Sequence, residues 1–302
     1  MNEAFIIAVD LGGTNLRVGK VQNNAITQHC LRAVPSTDND EVVLKELIGA
    51  IGTMFDGKVA AIGIGVPSVV DVDRGIVYDV QNIPSWKEVH LKERMENTFG
   101  VPVHVNNDAN CFALGECHFG KGKEFRHIVG LVIGTGLGAG IIIDRRLYNG
   151  SNCGAGEIGT IPYKEQTIEY YCSGQFFTRE FGVSGQTVFE RARAGDPAAI
   201  QAYEAFGYEM AHAVMTALYS FDPQIVILGG SVSKAFPFFK KSMMERMIAS
   251  FAYQHALRRL VIEGSELPDI ALLGAAALHL DAEERSPKSK AQSPKSKVED
   301  RN

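Results

Sequence analysis

Residues 4–21 read AFIIAVDLGGTNLRVGKV. The apolar, β-rich run 4–9 predicts a strand, DLGGTN (10–15) a glycine turn, and LRVGKV (16–21) the returning strand. The same order recurs as HIVGLVI (127–133), the turn GTGLGAG (134–140) and IIID (141–144). A strand–turn–strand unit repeated about 120 residues later predicts an internal duplication, with two α/β lobes each aiming a glycine turn at a shared cleft.

Length agrees, because 302 residues is long for a single core. Apolar residues make up 45% and charged residues 22% of the chain, as in ordinary globular proteins. The net charge of −5 gives no general attraction to nucleic acid or to an anionic membrane. The five cysteines (30, 111, 117, 153 and 172) include no Cys-x-x-Cys pair, which predicts a reduced, cytoplasmic protein without a disulfide framework. Glu3 precedes an apolar run that ends at Asp10, so no secretory signal is expected. Five glycines interrupt the apolar stretch 128–143, which is also shorter than the roughly 20 residues of a membrane span.

Further along, Asp38-Asn39-Asp40-Glu41 resembles a capping box before a helix with Leu44, Leu47, Ile48, Ile51 and Phe55 on one face. Residues 60–67 read as a buried strand, 69–79 as a small hairpin turning near Gly75, and 87–99 as a helix stopped by Gly100 and Pro102. The longest helical period runs over 197–221. The segment 225–231 then reads as strand, turn and helix start, and 269–280 as the final helix. The predicted lobes are 1–115, with the helix 269–281 packing back on it, and 116–268. From 282 to 302 the chain carries SPKSK twice and no apolar period, which predicts a disordered tail.

Two kinds of segment carry chemistry. VNNDAN (105–110) follows a strand-like run and opens a helical pattern, where open α/β sheets bind ligands. Asp108 there is either the helix cap, a common task for Asp and Asn, or a base able to take a proton from a polyol. With an ordinary carboxylate pKa it would be ionised at neutral pH without special tuning. The glycine turns are the second kind. Gly12, Gly13 and Thr14 can offer backbone N–H groups and a hydroxyl to phosphate, and Asp10 can hold a hydrated Mg²⁺. Thr135 and Gly136 offer a second set of donors. Each turn alone also reads as an ordinary hairpin. Neither is followed by Gly-Lys-Ser/Thr, and a strand rather than a helix follows GTGLGAG, so neither the P-loop nor the Rossmann motif applies.

DLGGTN (10–15), VPS (66–68), NIPSW (82–86), NNDANCFALGE (106–116), GTGLGAG (134–140), AGEIG (155–159) and ILGGS (227–231) occur in an order that resembles the ROK-family sugar kinases. The resemblance covers about residues 4–280. It implies a two-lobed actin-like ATPase (ribonuclease-H-like) fold with an interlobe cleft, ATP and Mg²⁺ as cofactors, phosphorylation of a hexose at the 6-hydroxyl, and a homodimer. It makes Asp108 the general base and places Pro67, Ser68, Asn82, Asn107, Glu157, Thr160 and Glu169 around the sugar. It places Asp10, Gly12, Gly13, Thr14, Asn15, Thr135, Gly136, Gly229, Gly230 and Ser231 around the nucleotide. Glucose is the simplest acceptor, with N-acetylmannosamine, N-acetylglucosamine or fructose as alternatives.

Two departures stand out. Thr160 occupies the place of the histidine that many members use for zinc and sugar. The interval IPYKEQTI (161–168) lacks the cysteines of their zinc loop. Cys153 and Cys172 cannot complete a four-ligand set alone, so no zinc site is expected, and the inference to glucose is loosened. Two other classes compete. A repressor of this family would carry an N-terminal helix-turn-helix, for which a first strand near residue 4 leaves no room. A non-catalytic sugar sensor would have no need of Asp10, Thr14, Asp108 and Thr135.

Overall fold

The two strand–glycine turn–strand units form the centres of two five-stranded sheets in the computed structural model, which describes residues 4–285. The first half contributes β1 (Phe5–Leu11), β2 (Asn15–Gln22), β3 (Ala25–Ala33), β4 (Val59–Val66), β5 (Val69–Asp71), β6 (Ile76–Tyr78), β7 (Glu88–His90) and β8 (Val103–Asn107). Its helices are α1 (Asp40–Gly52), α2 (Leu91–Phe99) and α3 (Asp108–His118). The large sheet has the order β3-β2-β1-β4-β8: β1, β2 and β3 are antiparallel neighbours, while β4 and β8 run parallel to β1. Strands β5, β6 and β7 form a small antiparallel sheet beside it.

The second half repeats this plan with β9 (Ile128–Ile133), β10 (Leu137–Ile143) and β11 (Arg146–Leu147). A two-strand hairpin of β12 (Pro162–Tyr163) and β13 (Gln166–Thr167) precedes helices α4 (Ile168–Cys172), α5 (Gln175–Phe181), α6 (Gly185–Arg193) and α7 (Pro197–Phe221). There follow β14 (Ile225–Gly229), α8 (Phe236–Ser250), α9 (Gln254–Leu257), β15 (Val261–Gly264) and α10 (Ile270–Arg285). The sheet order is β11-β10-β9-β14-β15, with the same pattern of parallel and antiparallel neighbours as the first. Sheet order is what the two halves share.

Side-chain alternation along the central strands explains the layering. Phe5, Ile7 and Val9 of β1 face a core shared with Leu44 and Leu47 of α1, while Ala8 faces the opposite way, toward α3 and α10. Likewise Val129, Leu131 and Ile133 of β9 join Phe206 and Met210 of α7, while Ile128 joins the α3–α10 core. Helices α3 and α10 therefore form a middle layer between the two sheets. Strands covered on both faces read as continuous apolar runs, which is why AAIGIGV in β4 shows no polar alternation.

Caps fall where the side chains allow. Asn39 accepts from Val42 N–H at 3.0 Å to open α1, and Asp196 accepts from Ala198 N–H at 2.9 Å ahead of Pro197 in α7. Two segments differ from the sequence expectation. Residues 88–90 pair with β6 as a strand, so only 91–99 of the expected helix 87–99 is helical. The last helix continues through 282–285, inside the stretch expected to be a disordered tail, because its final turn is tied by ions rather than apolar contacts. Arg285 Nε pairs with Asp281 at 2.7 Å, and Arg146 with Glu284 at 3.5 Å. The SPKSK repeats lie outside the described residues. Among the described residues no helix is long and apolar enough to cross a membrane.

Candidate active site

Strand β8 ends on Asn106 and Asn107, and α3 begins at Asp108. The cap is Asn107: its Oδ1 accepts from the N–H groups of Ala109 at 2.9 Å and Asn110 at 3.4 Å. With the capping task taken, Asp108 is free to line a cleft of about 960 Å³ together with Asp10, Gly12, Gly13, Thr14 and Asn15. Gly230, Ser231, Lys234 and the segment 265–271 form the facing wall. The Asp108 carboxyl is pushed up to about 7, first by burial and then by the negative charges of Asp10 and Glu157; the Ala109 N–H, donating at 2.8 Å, pulls the other way. The expectation of an ordinary, fully ionised aspartate is thereby corrected. Residue type gave that expectation; three converging acids in a poorly hydrated corner change it.

Asp10 stands at the end of β1, directly opposite Arg17 in the antiparallel ladder. The two side chains form an ion pair, and Arg17 reaches on to Asp269 at 3.0 Å. Burial raises the Asp10 carboxyl above its usual range while Arg17 opposes the shift. Arg17 was not picked out from the sequence, although the hairpin itself held the signal: counting outward from the turn sets Asp10 against Arg17. Among the described residues no group of three or more His, Cys, Asp and Glu side chains is arranged for a metal ion. The acid-rich cleft suits the way Mg²⁺ is usually bound, by one or two carboxylates, phosphate oxygens and retained waters, and Asp10 is the fitting carboxylate.

The first glycine turn is shaped by a residue distant in the chain. Asn82 packs so closely on Gly13 that a Cβ there would overlap the asparagine side chain, so Gly13 is required by contact rather than by torsion. Asn107 spends its amide on structure, its Oδ1 in the cap and one Nδ2 hydrogen on the Ser68 carbonyl at 3.3 Å, which leaves one N–H for a ligand. The Ser68 hydroxyl donates to the Tyr78 carbonyl, and Pro67 is half-buried beside it at the end of β4. Across the site, Thr160 Oγ1 donates to the Glu157 carbonyl at 2.8 Å. Burial and the neighbouring Glu169 carboxylate raise the Glu157 carboxyl.

The second glycine turn is held against α4 and α5: Glu169 Oε2 accepts from Leu137 N–H at 2.8 Å, Gln175 Nε2 donates to the Thr135 carbonyl at 3.1 Å, and Gly174 N–H donates to the Gly134 carbonyl at 2.8 Å. Glu169, expected beside the sugar, is placed to hold the second glycine turn. Glu169→Ala is expected to raise the KM for ATP roughly tenfold, the loss of one charge-assisted hydrogen bond, while Glu169→Gln, whose amide oxygen still accepts from Leu137, stays near wild type. Steady-state titration of ATP at saturating sugar reads the difference; equal ATP KM values for both variants would contradict the turn-holding role. Gly229 packs under the Phe112 ring rather than in the cleft, whereas Gly230, at φ 82°, adopts a left-handed turn that brings Ser231 to it.

The segment 161–168 forms the β12–β13 hairpin. The Tyr163 ring stacks on His212 at 3.9 Å between centroids, and Lys164 pairs with Glu209 at 2.7 Å. Cys172 lies in the core of the second half and Cys153 in that of the first, so the two do not converge.

Residues 6–282 match the model of the ROK family. The chain is 29% identical to a glucokinase of Thermotoga maritima, over 92% of this chain and 98% of that protein. It is 28% identical to an N-acetyl-D-glucosamine kinase of Vibrio cholerae, over 74% of this chain and 83% of that protein. The crystal structure of a ROK family glucokinase from Streptomyces griseus in complex with glucose and AMPPNP superposes with a TM-score of 0.79 at 28% identity, covering 91% of this chain and 99% of that one. That likeness makes the fold the actin-like ATPase fold.

Proposed function

From the premise that this chain belongs to the ROK family and is an ATP-dependent sugar kinase, we propose that it transfers the γ-phosphoryl group of ATP to the 6-hydroxyl of glucose, with Asp108 as general base. The observation that carries the proposal is Asp108 itself. Its carboxyl is poised at about 7, freed from capping by Asn107, in one cleft with Asp10 and the Gly12–Thr14 turn. A base with a pKa near the working pH best combines being ionised with holding the proton it receives.

The ionised Asp108 takes the proton as the sugar oxygen bonds to phosphorus and the bond from phosphorus to the departing ADP oxygen breaks. The backbone N–H groups of 12–14 and the Thr14 hydroxyl receive phosphate oxygens. Asn82, resting on Gly13, keeps the acceptor close to that turn. Mg²⁺ held at Asp10 would neutralise phosphate charge. The remainder of the catalysis is positioning and exclusion of water. The lobes, taken as 1–115 with 269–281 and as 116–268, close over the sugar with the α3–α10 layer between them, and the active species is a homodimer.

The test measures ADP release with Mg²⁺ and ATP over a panel of glucose, mannose, fructose, N-acetylglucosamine and N-acetylmannosamine. One arm replaces ATP with polyphosphate. Glucose is expected to show the highest kcat/KM, with phosphate at O6 by nuclear magnetic resonance. Thr160 favours a second reading, because a hydroxyl already bonded to the Glu157 carbonyl leaves a sugar contact open for an N-acetylated hexose. A higher kcat/KM for either N-acetylhexosamine would replace glucose with that acceptor. Calorimetric sugar binding without turnover across the whole panel would make the protein a sensor instead.

A further inference from the structure

Behind the catalytic turn lies a second cavity of about 830 Å³, separate from the nucleotide cleft. It runs along the edge strand β8, between the β5–β6 hairpin, the loop 147–153 and the end of α10. Its volume falls within the range of small-molecule sites. The groups around it differ in how far they are already engaged. Lys92 Nζ donates to the Asp73 carbonyl at 3.3 Å, and Arg285 is occupied by Asp281 at 2.7 Å and by the Leu147 carbonyl. His104 is held neutral, its pKa pushed down to about 4 by burial and by its partner His279. Lys92 and Arg285 are outnumbered along the lining by Asp71, Asp73 and Asp281, so the cavity offers no net positive charge to an anionic ligand. The side chains of Asp73, Tyr78, Ser151 and Asn152, by contrast, border the cavity without a hydrogen bond or ion pair to the rest of the described chain. A carboxylate, a phenol, a hydroxyl and an amide together accept from and donate to hydroxyl groups.

The cavity also touches the active site through one residue. Asn106, which lines it and is 2% exposed, donates through Nδ2 to Asn149 at 3.0 Å. Its Oδ1 accepts from Asn110 Nδ2 at 2.9 Å and from the backbone N–H of Asn107 at 2.8 Å. A molecule that moves Asn149 must disturb Asn106, and with it the peptide that delivers Asn107 and Asp108. We infer that this cavity is a second binding site, for a neutral free sugar, and that its occupancy is coupled through Asn106 to turnover at Asp108. Buried amide networks of this kind transmit displacement because every member is already bonded.

The test titrates the full chain with glucose by calorimetry and repeats it with Ser151→Trp, which fills the cavity mouth from an exposed position, and with Glu157→Ala, which weakens the acceptor site. Asn152→Phe, also exposed, serves as an independent block should Ser151→Trp lower the unfolding midpoint. Wild type is expected to bind two glucose molecules per chain, each blocking variant one, and Glu157→Ala the one in the cavity. If glucose is not the acceptor, Glu157→Ala changes nothing while the blocks remove all binding, which separates failure of the functional reading from failure of this one. A single wild-type site that survives both blocks, two sites surviving both blocks, or displacement of the cavity glucose by inorganic phosphate would each overturn the assignment. The rate of wild type is expected to depart from a hyperbola in glucose and to become hyperbolic in the blocked variants; a hyperbola in wild type overturns the coupling.

Discussion

Asp108→Asn is expected to lower kcat by about 10²–10⁴-fold, the usual contribution of a positioned base, while leaving the fold intact. The substitution removes no capping bond, since Asn107 carries the cap, and an amide oxygen can still accept from Ala109 N–H. Wild-type-like turnover in this variant would remove Asp108 from the mechanism. The same carboxyl sets a pH dependence. Because kcat/KM reports the free enzyme, it is expected to rise by about tenfold per pH unit below 7 and to level above it, as Asp108 passes through its pKa of about 7. A flat profile between pH 5.5 and 7 would show that the base ionises elsewhere.

Stability has the opposite sign. The folded protein holds the Asp108 proton with a pKa of about 7, against an ordinary value of 3.8 in the unfolded chain. That contribution is complete in acid below the ordinary value, erodes as pH climbs, and is lost as pH passes 7. Thermal unfolding of the ligand-free wild type should therefore weaken relative to Asp108→Asn between pH 4 and 8. The midpoints are expected to diverge with rising pH, with the variant the more stable at pH 8. Parallel curves across that window would mean that the acids in the cleft do not crowd Asp108.

Gly274→Ala is expected to destabilise the protein by about 3 kcal/mol, the upper end of overpacking. Gly274 lies in α10 where it crosses α3, and a Cβ there would fall on the Cys111 carbonyl oxygen, with the Gly115 nitrogen close behind. The obstruction is backbone, so no rotamer change relieves it, and the helices must separate. These helices are the layer shared by the two sheets, so the strain reaches both cores. A loss of that size should lower the unfolding midpoint by roughly 5 °C in a chain of this length. An unchanged midpoint by calorimetry would show that α10 can slide on α3 without loss. Gly52→Ala, with open space around the added carbon, is the matching control within a helix.

The sequence by itself determined the strand–glycine turn–strand units and the order of the motifs. Strand–glycine turn–strand units are local, and their apolar period and turn residues are visible without tertiary contacts; from them follow two halves of like design. The capping segment 38–41 and the helix over 197–221 were legible for the same reason. Local pattern failed where neighbours distant in the chain decide the outcome. Residues 88–90 become a strand because β6 offers them a partner, and α10 continues to Arg285 because Asp281 and the Leu147 carbonyl hold its last turn. Tertiary structure alone divided the labour between Asn107 and Asp108, brought Asp269 to Arg17, and placed Glu169 under the Leu137 amide. It also raised the Asp108 carboxyl. A pKa is a property of burial and of charges gathered through space, and Asp10, Asp108 and Glu157 meet only when both halves have folded around the α3–α10 layer.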